Sequence, residues 1–216
     1  MPVKKTVYRY LLCVLGIFII TLGIGTLKQT DLGISPISSP PNVLSMRFTS
    51  LTFGTWFFIM NIVYVLLQVA ILGKKFPPFQ LMQIPFSVLF GWFSDLGIYI
   101  TDFINPATYI ARVAIVFIGV LILGVGISVS IIANVILNPP DAFYKTVSEK
   151  WGVNVGIAKL CTDIISVLIA VILGIVLLGR IDVVGIGTLI TAVFTGYAVK
   201  FFHKLLKTPL EKFIAK

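Results

Sequence analysis

Apolar residues in this chain run in long blocks, separated by short polar breaks, with no sustained alternation of apolar and polar positions. A bilayer core of roughly 30 Å needs about 20 apolar residues in a helix. Six blocks reach that length, at about 7–27, 51–72, 80–101, 108–137, 155–179 and 183–202. The pattern predicts an all-α integral membrane protein with six transmembrane helices. Lys4, Lys5 and Arg9 precede the first block as they would in a signal peptide. The block is long enough to span and no small-x-small cleavage signal follows it, so it reads as a retained helix.

Two breaks are neither tight turns nor solvated loops. One is "KQTDLGISPISSPPNVLSMRF" after the first block, and the other is "NPPDAFYKTVSEKWG" after the fourth. Each holds a Pro-Pro pair between short polar residues, "SPPN" at 39–42 and "NPPD" at 138–141. Proline suits the first turn of a helix, where its missing N–H costs nothing, and Ser or Asn suits the cap before it. Each motif therefore predicts a cap and then a short helix of about two turns, too short to span. Non-helical backbone at membrane depth survives only where protein or water covers it. Two amphipathic loops lying on the membrane surface are the alternative.

The breaks belong to a wider internal echo. "GIG" at 23–25 matches "GVG" at 124–126, and "VAILG" at 69–73 matches "AVILG" at 170–174. Gly54 and Asn61 stand as Gly156 and Asp163 do, and the offsets between partners are 101, 99, 102 and 101 residues. Each half, 1–104 and 105–216, then carries three spans and one re-entrant or broken half-helix. An odd number of spans inverts the second copy relative to the first, the plan of many secondary transporters. On that plan the two half-helices enter from opposite sides, with their starts meeting near the midplane.

Charge sets an orientation. Charged residues make up 12% of the chain, against 58% hydrophobic and a mean hydropathy of +1.06. A soluble domain carries about 25% charged residues. The net charge of +9 lies at the chain ends and in short loops. That placement argues for membrane topology and against nucleic acid. Thirteen Lys and Arg fall at the N-terminus, the second and fourth gaps with the start of the fifth block, and the C-terminal tail, including Lys216. The alternate gaps hold four: Lys28, Arg47, Arg112 and Arg180. The bias predicts a cell-membrane protein with both termini cytoplasmic.

Polar residues at membrane depth are costly and need a reason. Around the first break stand Asp31, Ser35, Ser38, Ser39 and Asn42, and at the second Asn138 and Asp141. Ser39 and Asn138 are expected as caps, and Asp141, three residues after Asn138, either completes a capping box or serves a substrate or proton. Lys159 and Asp163 are four apart, on one helical face, as a structural ion pair or as a gate or proton-coupling site. Asn61 holds the equivalent place in the first half. These residues form the candidate substrate-binding set: Ser35, Ser38, Ser39, Asn42, Asn61, Asn138, Asp141, Lys159 and Asp163. Cys13 and Cys161 read as small buried residues. Asp95 and Asp102 read as solvated, and His203 as a headgroup contact in a basic tail. The sole histidine lies far from any serine at membrane depth, no His/Cys/Asp set has metal-ligand spacing, and no nucleotide loop is present. The expectation is a non-enzyme without cofactor or metal.

The residues "LGISP" (32–36), "PPNVL" (40–44), "FGTWFFIMNIV" (53–63), "NPPDAF" (138–143), "GVNVGIAKLCTD" (152–163) and "GIGTLITAVFTG" (185–196) resemble the YczE/YitT-like bacterial membrane proteins. The resemblance covers nearly the whole chain. It implies a six-helix membrane protein of transporter-like function with no defined substrate. The functional expectation is a secondary transporter or permease for a small metabolite or lipid-like substrate. A substrate-binding subunit of a larger uptake system and a non-transporting accessory protein are the alternatives. Expected partners are the lipid bilayer, an unidentified small molecule, and either a second copy or a partner subunit.

Overall fold

The structure, a computed structural model, describes residues 3–180 and 183–215. Lys216, one of the basic residues counted in the tail, lies outside them. The described residues form α1 (Val3–Lys28), α2 (Ser39–Arg47), α3 (Phe53–Leu72), α4 (Gln83–Thr101), α5 (Tyr109–Ala133), α6 (Pro139–Trp151), α7 (Val155–Leu173) and α8 (Ile186–Ala215), joined by short 3₁₀ turns and one π turn. Helices α1, α3, α4, α5, α7 and α8 are long and apolar enough to cross a membrane. The short helices α2 and α6 are the two Pro-Pro segments.

Helix ends follow local chemistry. Thr52 and Thr108 accept hydrogen bonds from the third amide beyond them, at 3.1 and 3.2 Å, and so start α3 and α5. The Asn154 side chain accepts from Gly156 N at 2.8 Å at the start of α7. Asn134, at φ +50°, ends α5 in the left-handed conformation that asparagine tolerates. That stop comes four residues before the apolar block itself ends at 137. The helix of the last span, by contrast, outruns its apolar block, which ends at about 202. Helix α8 continues through the basic tail to Ala215, with Pro209 inside it. His203 therefore sits on a helix, with Nδ1 buried and unpaired. Asp95 lies inside α4, half-buried and in electrostatic reach of Lys28, and is not a solvated flank.

The chain divides into two compact units, each drawing on both halves of the sequence. The first comprises 1–34, 93–135 and 185–216, so it holds α1, α5, α8 and the C-terminal part of α4. Glycines let α1 and α5 approach closely, as small residues do between helices in lipid. A Cβ on Gly16 would lie 2.8 Å from Ser130 N, and one on Gly126 would lie 2.6 Å from Ile20 N. Seven residues further along α1, a Cβ on Gly23 would meet Leu123 at 2.9 Å, and one on Gly119 would meet Leu27 at 2.9 Å. Gly124 packs as tightly on Ala198 of α8, where Ser128 Oγ donates to Val199 O at 3.0 Å. Gly97 of α4 sits against the backbone of Thr21. The "LGIS" loop is held by Gly187 N, which donates to Leu32 O at 2.8 Å.

The second unit comprises 35–92 and 136–184 and holds α2, α3, α6, α7 and the first part of α4. Here α2 packs against α3 and α7, and α6 packs against the same two helices. Phe57 stacks on Phe90 at 4.8 Å, and Gly91 lies against the Gly54 carbonyl. The outer faces of α3 and α7 expose Val63, Leu66, Ile164, Leu168 and Ile172. That is the surface a helix presents to lipid tails. Cys161 shares this exposure and is not buried, whereas Cys13 is.

Candidate functional site

The second unit gathers every residue of the candidate set, and the structure sorts them by whether their polar atoms are used. Ser35 and Ser38 share a hydroxyl hydrogen bond of 2.7 Å, and Ser39 Oγ donates to Ser35 O at 3.1 Å. These three hydroxyls fasten the turn that leads into α2. Ser39 is the first residue of the helix and not its cap. Ser38 holds the cap position without a side-chain cap bond, because a 3₁₀ turn over Pro36–Ser38 runs directly into α2. Asn42, one turn into the helix, is buried with Oδ1 unpaired.

At the second Pro-Pro pair, Asn138 occupies the cap position but makes no side-chain bond to the helix amides. Its amide bonds the Asp141 carboxylate instead. The expected capping box is replaced by a pair of side chains at its two positions. The helix runs for 13 residues to Gly152, longer than two turns, and ends there in a left-handed conformation at φ +68°. Its first carbonyl, Pro139 O, accepts from Gln68 Nε2 at 3.1 Å.

Gln68 was not in the candidate set, yet it ties three elements together. Its Nε2 shares two hydrogens among Pro139 O, Tyr64 O and Gln83 Oε1, each at 3.1 Å, while Gln83 Nε2 returns a bond to Gln68 Oε1 at 3.1 Å. Both side chains are fully buried. The signal was present in the sequence as a glutamine inside the apolar run "YVLLQVAIL".

On α7, Lys159 and Asp163 form the expected ion pair through Oδ2. The pair is lopsided: the Lys159 side chain is 42% exposed and that of Asp163 only 7%. Asp163 Oδ1 has no hydrogen-bond partner among the described residues. Tyr64 OH and Ser166 Oγ lie 3.3 Å apart, joining α3 to α7. Tyr144, on α6, is buried with its hydroxyl unpaired, in electrostatic reach of Asp141, Asp163 and Tyr64. Asn61, one turn before Tyr64, is buried with Oδ1 unpaired as well. Four unpaired polar atoms thus come from α2, α3, α6 and α7. A buried polar atom without a partner is costly and calls for an explanation. Asp31 takes no part; it lies in the first unit, where it pairs with Arg112 at 3.6 Å.

A family model matches residues 7–204 of the chain. The chain belongs to that family, described as a family of unknown function (DUF6198). It is also 27% identical over 201 residues to the uncharacterized membrane protein YczE of Bacillus subtilis (strain 168), which covers 92% of this chain and 86% of that one. The YczE-like character read from the Gly and Pro motifs therefore holds, and with it the assignment as a multi-pass membrane protein. No solved structure matches the chain.

Proposed function

We propose that this DUF6198 protein is a secondary transporter or permease for a small metabolite or lipid-like molecule, bound in the second unit beside the two Pro-Pro half-helices. The observation that carries the reading is the set of buried, unpaired atoms: Asn42 Oδ1, Asn61 Oδ1, Tyr144 OH and Asp163 Oδ1. A purely structural polar network satisfies its members, as Gln68 and Gln83 do. Atoms left open on four elements suit a site that is filled by something else.

The reading includes an inverted repeat, which the pattern of helix contacts supports. A shift of 103 residues, two more than the match of "GIG" 23–25 to "GVG" 124–126 gives, carries Gly16 to Gly119, Ile20 to Leu123, Gly23 to Gly126 and Leu27 to Ser130. The same shift turns the Gly16–Ser130 contact into Gly119–Leu27, and the Gly126–Ile20 contact into Gly23–Leu123. In the second unit, each half-helix packs on one long helix from its own half and one from the other. Both features suit two copies related by a two-fold axis in the membrane plane, with the site near the midplane. On this reading the division at 104/105 separates the two copies of the repeat.

Uptake by the purified protein in liposomes, over a panel of radiolabelled metabolites, tests the proposal. Saturable uptake of one compound that is lost in Asp163→Asn is the expected result. A protein that is folded and inserted but moves nothing across the panel overturns it.

A further inference from the structure

Two of the open atoms, on Tyr144 and Asp163, belong to a group of side chains whose charges do not balance. Asp141 and Asp163 are both carboxylates, and Lys159 is the cation in electrostatic reach of either. Among the described residues of α2, α3, α6 and α7, no other basic side chain lies in electrostatic reach of them; Lys145 is turned to Glu149 at 3.7 Å on an exposed face. With all three ionised, the cluster holds one excess negative charge. An excess charge in such a place is strongly disfavoured, and a proton or a bound cation relieves it.

The open atoms say where a cation would sit. Asp163 is 5% exposed, Tyr144 2% and Asn61 1%, and each has an unpaired side-chain atom. Asp163 Oδ2 is taken by Lys159, which leaves Oδ1, an acceptor with no donor. A carboxylate oxygen has nothing to donate, so its partner must be a metal ion or a group carrying hydrogen. The Tyr144 hydroxyl, buried and unpaired, lies in electrostatic reach of both carboxylates.

We infer that the Asp141, Tyr144 and Asp163 cluster of the second unit binds one small monovalent cation, an alkali-metal ion or a primary ammonium group, against Asp163 Oδ1. The inference rests on the same site as the proposed function and names the charge of its occupant. Lys159 then acts as a competitor as well as a partner, because its ammonium neutralises the carboxylate that the cation uses.

Thermal unfolding of the full-length protein in lipid nanodiscs tests this, in N-methylglucamine chloride at constant ionic strength. Sodium, potassium or methylammonium chloride replaces the bulky salt stepwise, at pH 6 and pH 8. A ligand that binds the folded state raises Tm with its concentration. The expected result is a saturable rise with at least one of the three salts. A response to sodium or potassium alone assigns an inorganic ion, and a response to methylammonium alone assigns an ammonium-bearing metabolite. Asp163→Asn should remove the response, and Lys159→Gln should strengthen it by about tenfold in half-saturating concentration, since the competing charge is gone. Opposite signs on one ion pair separate binding from structural damage. If Asp163→Asn does not fold, Asp141→Asn removes the excess charge without touching the ion pair and should weaken binding about tenfold.

Equal Tm in all four salts overturns the inference. So does a Tm that follows pH but not the cation, which would mean that a proton balances the charge, or a response that persists unchanged in Asp163→Asn. A cation response without uptake in liposomes leaves the inference standing and removes the transporter. Uptake without any cation response does the reverse.

Discussion

Tyr64 and Ser166, 102 residues apart in sequence, place their side-chain oxygens 3.3 Å from each other in the buried interior of the second unit. The same interval separates Asn61 from Asp163 and Gly54 from Gly156. The bond therefore joins two positions at the interval proposed to relate the two halves of the chain. On the inverted-repeat reading it crosses the axis that relates them.

That bond should be worth about 1 kcal/mol, as for an ordinary neutral pair. Tyr64→Phe and Ser166→Ala should each lower stability by about that amount, and the double mutant should lose less than the sum. Thermal unfolding of the four proteins measures the coupling. Strict additivity would mean that the two hydroxyls do not interact.

The ion pair on α7 makes a sharper case. Neutralising Lys159 alone strands the Asp163 carboxylate beside Asp141, whereas neutralising both partners removes the stranded carboxylate. Lys159→Gln should therefore be less stable than the double variant by about 1–2 kcal/mol, below the figure for a fully buried pair, because the Lys159 side chain is 42% exposed. Asp163→Asn leaves Lys159 facing Asp141 and should lose less. Exchanging the two residues keeps them on one face and should recover much of the loss. The order of the five melting temperatures decides the matter.

Close helix approach predicts a contrast between two glycines. A Cβ on Gly97 would lie 2.5 Å from Thr21 O, while one on Gly196 meets nothing within 4 Å. Gly97→Ala should cost about 1–3 kcal/mol through forced displacement of backbone. Gly196→Ala should be neutral or stabilise α8 by up to about 1 kcal/mol. Melting curves of the two variants give the comparison.

The start of α6 is testable through its side-chain pair. Asn138→Ala removes the partner of the Asp141 carboxylate and should cost about 1 kcal/mol. Pro140→Ala should leave the protein inserted but loosen the break before the helix, visible as faster labelling of a cysteine placed at Leu137. Unchanged stability and labelling in both variants would remove the fixed half-helix.

Orientation is settled by labelling in intact cells. Cysteines at Lys75 and Lys150 should resist an impermeant thiol reagent, and one at Asp102 should react. Labelling at Lys75 from outside would reverse the assignment drawn from the positive residues.

How legible this protein is depends on what each residue's behaviour is decided by. Pro40, Pro41, Pro139 and Pro140 announce two helix starts through their own ring geometry, and the structure begins helices there. The Lys159–Asp163 pair needs only helical spacing. Hydropathy marks the start of α8 but not its end: "FFHKLLKTPLEKFIA" is polar enough to leave lipid and still a good helix former, and a span differs from a helix. Cys161 lies outside although its segment is apolar, because apolar residues in lipid lie outside as readily as inside. Ser39 missed its cap because the preceding turn joins the helix without a break. The Gln68–Gln83 pair and the open hydroxyl of Tyr144 depend on which helices meet, and no periodicity within one segment carries that.

The glycine contacts between α1 and α5 bear on motion. They fall in two patches, one at Gly16 and one at Gly23 along α1, about 10 Å apart at the rise of an α-helix. A single close crossing acts as a pivot, about which two rods can rock. Two crossings at that spacing act as a clamp, because sliding or rocking that opens one drives the other into backbone. Helices α1 and α5 are thus fixed as one rigid spar, and any conformational cycle must be carried by helices that lack such a double lock.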